Sequence, residues 1–305
     1  MRVCGQVNHT ISFKTSLEKF MRFLALTSIF ISFLTGCALH NYGDDQFQLR
    51  MAAHGKDIMW VPTRVDTATQ MLALAQVKSG DIVYDLGSGD GVIPIQAAKR
   101  YGIRAVGIEY NPDLVALSKR NAIRENVQNL VTFKQGDIFV EDFSSATVLT
   151  LFLGESLNLK LMPTILRMKP GTRVVSNTFR MDSWIPDQEV SIRSGESTIG
   201  ALNETIYLWI VPANIDGAWE FTGLPNLDNT SVRFIQKKQF FDGTIAKLGS
   251  RPISFEDGKI RGEAIQFDFE TNGKKYSFRG QISGAQISGI LNGDPKLNVA
   301  GKRLK

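Results

Sequence analysis

Hydrophobic and polar positions change rhythm along this chain. From about residue 60 to residue 212, short apolar runs alternate with longer amphipathic stretches. The runs Ile82–Leu86, Ala105–Glu109, Leu130–Lys134, Thr147–Leu153, Arg173–Ser176 and Glu204–Val211 predict strands. Val92–Arg100, a segment from Asn111-Pro112 toward Asn126, and Leu157–Met168 predict the helices between them. Asn111 suits an N-cap with Pro112 at the first helical position, and Pro170-Gly171 stops the last helix. Such alternation builds βαβ units, hence a parallel sheet with right-handed crossovers, and ligands bind beyond the carboxyl ends of its strands.

After Pro212 the rhythm becomes period two. Val232–Gln236, Phe240–Ile245, Ala264–Phe269, Lys275–Phe278 and Gln286–Leu291 alternate apolar with polar residues. Asp242-Gly243, Asp257-Gly258, Asn272-Gly273 and Asn292-Gly293 read as the turns between strands. The prediction is a small all-β meander, closed or nearly closed into a barrel, opened by Ile215–Trp219 with Trp219 plugging one end. A change of texture supports a separate domain: residues 213–305 hold 12 of the 27 glycines, and no methionine follows Met181.

The N-terminal rhythm differs again. Arg22 precedes an apolar stretch of about a dozen residues, which ends in Leu34-Thr35-Gly36-Cys37. A basic residue, a short apolar core and a small-residue box form a secretory signal, and this box resembles a bacterial lipobox. The resemblance implies that Cys37 becomes the lipid-modified first residue, anchored to a membrane of the cell envelope on the periplasmic side. If the signal is not used, the protein is cytoplasmic. Met21 is an alternative start. The expected organisation is a signal peptide over 1–36, a linker over 37–59, an α/β domain over 60–212 and a β domain over 213–305.

Composition removes several function classes. With 43% apolar and 21% charged residues in 305, the chain can bury a core. Cys4 and Cys37 cannot make a disulfide framework or thiolate zinc cluster, and His9, His40 and His54 leave few metal ligands, so no metal is expected. The net charge of +5 divides into +3 for residues 1–36, −2 for 37–212 and +4 for 213–305. The central region is therefore not a nucleic-acid surface, and no nucleic-acid partner is expected. No G-x-S-x-G motif is present, and Val92 stands where a dinucleotide fingerprint needs its third glycine.

The candidate chemistry lies at the expected strand ends. Asp85-Leu86-Gly87-Ser88-Gly89-Asp90-Gly91 follows the first strand, and its glycines allow a tight turn close to a ligand. Glu109 ends the second strand, where a carboxylate can accept both hydroxyls of a ribose. Gly136-Asp137-Ile138 follows the third; Asp137 can accept from an adenine amino group while Ile138 covers a ring face. Taken singly, the loop also fits a structural turn, Glu109 a solvated carboxylate and Asp137 a turn residue.

The three acids in this order, with D-x-G-x-G-x-G first, resemble the class I S-adenosylmethionine-dependent methyltransferases. That resemblance implies a Rossmann-like seven-stranded sheet with one antiparallel strand, Glu204–Val211 belonging to its terminal hairpin. It also implies S-adenosyl-L-methionine as cofactor, its methionine part near Asp85 and the loop of Gly87, Ser88, Gly89 and Gly91. Its ribose would lie at Glu109 beside Tyr110, and its adenine at Asp137 and Ile138. A narrower resemblance covers Val61-Pro62-Thr63, DLGSGDG at 85–91, VGIEYNPDLVALS at 106–118, TLFLGESLNLKL at 150–161 and PGTRVVSNTFRMDSWIP at 170–186. This pattern is similar to the lysine methyltransferases that include the mitochondrial enzymes modifying ATP-synthase c-subunit. It implies a protein-lysine acceptor, a segment with Thr63 closing over the cofactor, and acceptor entry between Phe152 and Asn158. Val92 replaces the arginine common after the family's glycine loop, and Arg64 replaces its second proline.

Methyl transfer is an in-line displacement that depends on positioning. A lysine amine, normally protonated at pH 7, needs a dry channel and an acid to take its proton. Glu155 is the candidate acceptor-side acid, and Phe152 and Trp184 are candidate walls facing a cation. Phe152 also fits simple core, and Glu155 a carboxylate at a helix start. The alternatives to a protein-lysine enzyme are an envelope lipoprotein using the fold as a non-catalytic binding module, and a small-molecule methyltransferase.

Overall fold

A computed structural model describes residues 42–49, 56–57, 59–193, 203–225, 227, 230–247 and 249–304. The expected signal and lipobox, ending at Cys37, lie outside the described residues. The described residues fall into two units, 42–49 in the first and those from 56 onward in the second. In the first, β1 (Tyr42–Gly43) and β2 (Gln48–Leu49) pair antiparallel within the stretch read as linker. The Asp44 carboxylate closes their turn by accepting from the Gln46 and Phe47 amides at 3.1 and 2.9 Å.

The second unit opens with α1 (Val65–Leu74), then β3 (Ile82–Leu86), α2 (Val92–Tyr101), β4 (Arg104–Glu109), α3 (Pro112–Arg124) and β5 (Val131–Gln135). It continues with β6 (Val148–Leu151), α4 (Glu155–Ile165), β7 (Arg173–Asn177), β8 (Gln188–Arg193) and β9 (Asn203–Ile210). The strands make one seven-stranded sheet in the order β5-β4-β3-β6-β7-β9-β8. β9 runs antiparallel to both β7 and β8; the other pairs are parallel. This is the Rossmann-like methyltransferase sheet that the resemblance implies.

Local chemistry explains most boundaries. The Asn111 side chain accepts from the Asp113 amide at 2.9 Å, capping α3, with Pro112 opening it. Helix α4 starts at Glu155, earlier than expected, because Gly154 turns the chain at φ 83° directly after the strand. Strand β8 was not among the expected strands. Its sequence QEVSIR holds only two large apolar residues, and at the sheet edge a strand needs little more. Helix α1 also had no forecast, although Ala68, Met71 and Leu72 bury one face of it.

A charged clamp joins the amino ends of the strands. Arg173, starting β7, is hydrogen-bonded and ion-paired to Asp81 before β3. It also donates to the carbonyls of Ala75 and Gln76 after α1, both at 3.1 Å. Asp81 accepts further bonds from the Thr147 hydroxyl and the Lys78 amide, both at 2.8 Å. Burial raises the Asp81 pKa, but these bonds and the guanidinium outweigh it, so its carboxyl lies below its ordinary value.

Strands β10 (Gly217–Thr222), β11 (Thr230–Lys237), β12 (Phe240–Ala246), β13 (Ile253–Arg261), β14 (Ala264–Thr271), β15 (Lys274–Ser283), β16 (Gln286–Leu291) and β17 (Asp294–Arg303) close into an eight-stranded antiparallel barrel. Two turn readings are corrected. Asp242-Gly243 lies inside β12 and Asp257-Gly258 inside β13, where the pairing shifts register between Phe241 and Gly243. These glycines make room for rings: a Cβ on Gly243 would lie 2.1 Å from the Phe255 ring, and one on Gly258 2.4 Å from Phe241. The reversals fall instead at Lys238-Gln239 and at Gly262. Inside, Phe234 meets Phe241, Phe255 and Phe267 edge to face at 5.3, 6.1 and 6.0 Å. Trp219 is fully buried, donates its indole N–H to the Ile215 carbonyl at 2.8 Å and is covered by Arg303.

The barrel docks through two of its turns. Gln239 donates to the Ile185 carbonyl at 2.6 Å, and Lys238 to the Ser183 hydroxyl at 2.6 Å. The Ala213 amide donates to the Gly262 carbonyl at 2.7 Å. The clamp generates a stability prediction. Asp81→Ala leaves Arg173 mostly buried without its counter-ion and should cost about 3 kcal/mol at pH 7, read by urea denaturation. A depressed folded pKa stabilises above the unfolded value of 3.8 and is lost as pH falls through the folded one. The difference between the two proteins should therefore shrink below about pH 4.

Candidate active site

The site forms where β3, β4 and β6 end. Asp85 occupies the last position but one of β3, with Val83 and Leu86 fully buried beside it. The residue is 3% exposed, and Thr150 of β6 donates to its carboxylate at 2.7 Å. Burial chiefly, then the charges of Glu109 and Asp90, push the Asp85 carboxyl up to about 7 against the Thr150 bond.

The following loop is bent by three glycines with positive φ: Gly87 (73°), Gly89 (52°) and Gly91 (84°). Gly91 is also the N-cap of α2, and a Cβ there would strike the Phe133 ring at 2.5 Å. The Gly87 and Ser88 amides donate to the Ile108 carbonyl at 2.8 and 3.1 Å, tying the loop to β4. Glu109 ends that strand. One of its carboxylate oxygens accepts from the Gly89 amide at 3.0 Å and the other from the Asn111 amide at 2.9 Å. The acid is thereby fixed over the loop with lone pairs left for a ligand's hydroxyls.

The third acid has a neighbour the sequence did not suggest. Asp137 accepts from the Phe139 amide at 3.0 Å and is ion-paired with Lys56 at 2.6 Å. The Lys56 bond, then the backbone bond, hold the Asp137 carboxyl below its ordinary value. The same ammonium lies 4.8 Å above the half-exposed Tyr110 ring. Trp60 packs against Gly89 so closely that a Cβ there would lie 2.7 Å from its indole nitrogen. Lys56 and Trp60 therefore bring the segment before α1 over the glycine loop and the ends of β4 and β5. Thr63 lies on this segment, half-buried.

On the other side, Leu153 meets Gly87: a Cβ on that glycine would lie 2.5 Å from the Leu153 side chain. Phe152, half-buried, stacks on Phe179 beyond β7 at 6.0 Å and 27°. Fully buried Asn158 of α4 holds this arrangement by donating to the Ser176 hydroxyl and the Phe179 carbonyl, both at 3.1 Å. Glu155 is exposed in the first turn of α4.

The structure thus gathers Asp85, Gly87, Ser88, Gly89, Gly91 and Glu109 around one loop, with Tyr110 and Asp137 joined through Lys56. Ile138 is partly buried against the core beneath. Ser88 turns its hydroxyl toward Gly107, where a Cβ would lie 2.5 Å from it. Trp184 is a correction. It is fully buried, 6.0 Å from Trp209 in the hydrophobic core, and Trp209 donates to its carbonyl at 2.7 Å. A ring so enclosed is a packing residue rather than a channel wall. Lys56 and Trp60 were missed; Thr150, Asn158 and Phe179 lie in the quoted motifs, Asn158 as the end of the acceptor-entry segment, but none had been given the contact it makes here. Each takes its role through a partner distant in the sequence, which a motif does not record.

S-adenosylmethionine fits these residues. A cationic ligand with ribose hydroxyls and an adenine amino group offers donors and positive charge, and the site offers Asp85, Glu109 and Asp137 on a cradle of glycines. The same acids would repel a phosphate.

Comparison with known proteins agrees. The family model of the ANTKMT methyltransferase domain matches residues 85–188. A protein-lysine N-methyltransferase of Saccharolobus islandicus is 37% identical over 156 residues, covering 50% of this chain and 94% of the relative. The ATP-synthase c-subunit lysine N-methyltransferase of Xenopus laevis is 34% identical over 132 residues, 42% of this chain and 56% of its own. The adenine nucleotide translocase lysine N-methyltransferase of Mus musculus is 35% identical over 119 residues, 38% of this chain and 51% of its own. The chain thus spans only about half the length of these last two relatives. A solved RNA methyltransferase from Salinibacter ruber, in complex with S-adenosyl-L-homocysteine, is 46% identical and covers 51% of this chain and 96% of its own, with a TM-score of 0.47. With its seven-stranded sheet, its acid-ringed glycine loop and a relative matched over nearly its whole length, the chain belongs to the family of the Saccharolobus islandicus protein-lysine N-methyltransferase and is an S-adenosylmethionine-dependent methyltransferase.

Proposed function

We propose that the acceptor is a lysine side chain of a protein. The observation that carries this reading is the Phe152–Phe179 stack, half-buried at the ends of β6 and β7 and joined to the glycine loop through the Leu153–Gly87 contact. Aromatic rings favour an alkylammonium group, and their apolar surroundings favour its neutral, nucleophilic form. The names of the Saccharolobus islandicus, Xenopus laevis and Mus musculus relatives support the same acceptor class.

S-adenosylmethionine supplies an electrophilic methyl group on a sulfonium. Asp85 and the glycine loop bind its cationic end, Glu109 accepts from its hydroxyls, and Asp137 from its adenine. Asn158 positions Phe179, and through it the aromatic pair that orients the amine. Glu155, exposed at the start of α4, accepts the amine's proton through water. We also propose that the protein is exported and anchored through a lipidated Cys37, which mass spectrometry of the native N-terminus tests; an intact Met1 or Met21 rejects the anchor.

Incubation with radiolabelled S-adenosylmethionine and total cell protein should label protein, and hydrolysis should release methyl-lysine. Label recovered only in RNA or small molecules overturns the lysine reading. Phe179→Ala should raise the acceptor KM by about tenfold, with cofactor Kd changed by less than about twofold. Asp85 generates a pH dependence. Below about 7 its carboxyl is protonated, so cofactor affinity should rise across roughly pH 6 to 8, and calorimetry should find that rise abolished in Asp85→Asn. A carboxyl raised in the fold destabilises the unliganded protein as pH climbs from the unfolded value to the folded one. Asp85→Asn should therefore stabilise the unliganded protein at pH 8 and leave it unchanged near pH 4, by thermal denaturation.

A further inference from the structure

S-adenosylmethionine carries a carboxylate beside its ammonium group, and the acid-ringed loop has no amide left to hold it. The Gly87 and Ser88 amides donate to the Ile108 carbonyl, the Gly89 amide to Glu109 and the Gly91 amide to the Ser88 carbonyl. The Asp90 carboxylate engages its own amide and that of Val92. Each amide from Gly87 to Val92 is therefore spent within the protein. Asp85, Asp90 and Glu109 surround the loop, so a carboxylate placed here without a donor is repelled. The cofactor's carboxylate needs a donor from outside the loop.

Asn177 offers one. It ends β7, where Val175 pairs with Thr150 and Thr150 with Asp85. Register partners in a sheet share a face, and side chains two apart on a strand return to it. Asn177 therefore lies on the same face as Asp85 and Thr150, one pleat nearer the carboxyl ends. The backbone then turns sharply. Thr178 has φ 65°, a strained value for a β-branched residue, and the Phe179 amide closes a γ-turn onto the Asn177 carbonyl at 2.7 Å. The Thr178 hydroxyl donates to the Asn177 side-chain oxygen at 3.0 Å, which leaves the amide NH2 turned the other way. Asn177 is 1% exposed, yet that NH2 makes no hydrogen bond among the described residues. A nearly buried donor without an acceptor, fixed by a strained turn at the strand ends, marks a ligand contact.

We propose that Asn177 donates its side-chain amide to the carboxylate of S-adenosylmethionine, while the acids take the ammonium group and the hydroxyls. A hydrogen bond to a charged group is among the stronger ones. A neutral amide also adds no positive charge to compete with the cofactor for Asp85. The γ-turn at Thr178 divides the work at the end of β7. Asn177 before it stays on the face of Asp85, and Phe179 after it stacks on Phe152. The inference rests on the cofactor and stands independently of the lysine reading.

The test titrates the full chain by calorimetry with two probes, S-adenosylhomocysteine and its decarboxylated analogue, which keeps the adenosine and the amine. Asn177→Ala should weaken S-adenosylhomocysteine about tenfold and the analogue by less than about twofold. Asn177→Asp keeps the size of the side chain and an oxygen for the Thr178 hydroxyl, so it serves even where the alanine variant does not fold. At pH 8 it should weaken S-adenosylhomocysteine about a hundredfold through repulsion and leave the analogue bound at least as tightly as in the wild type. Equal losses for the two probes in either variant, or unchanged affinity for S-adenosylhomocysteine, would overturn the proposal. A folded wild type that binds neither probe would overturn it together with the cofactor.

Discussion

A carboxyl group removed from water at the end of β3 is the constraint on which the site depends. Asp85 reaches the bottom of the cofactor site only because the strand carrying it is central, with β4 on one side and β6 on the other. Such burial costs free energy, which the chain offsets only in part through Thr150. The cost is tolerable because the remaining cradle is already built. Glu109 is fixed by two backbone amides, and the glycine loop is tied to the Ile108 carbonyl. A cationic ligand then meets a site that needs little rearrangement, and restoring charge to Asp85 couples its binding to pH.

The clamp at the other end of the strands serves this arrangement. Asp81, Thr147 and Arg173 join the starts of β3, β6 and β7, whose far ends carry Asp85, Thr150 and Ser176. Strands rise about 3.3 Å per residue, so register set at one end places the functional side chains at the other. The barrel solves a different problem. Its interior is filled by phenylalanine rings meeting edge to face, and Gly243 and Gly258 are small because rings lie directly over them.

The sequence alone determined the alternation of strand and helix from Ile82 to Asn177, the glycine loop and the order of Asp85, Glu109 and Asp137. These features are local: a strand's apolar run, a cap such as Asn111-Pro112 and an acid at a strand end are each written within a few neighbouring residues. Turn chemistry was equally legible where a turn was its cause, as at Asn272-Gly273 and Asn292-Gly293. At Asp242-Gly243 and Asp257-Gly258 the same dipeptides misled, because a ring from the neighbouring strand, not a reversal, demanded the glycine. Only the tertiary structure decided that Trp184 is core, that Lys56 meets Asp137 across 81 residues and that Asn158 holds Phe179. Those contacts join residues far apart in the chain, and a linear pattern carries no record of which distant side chain will share a cavity.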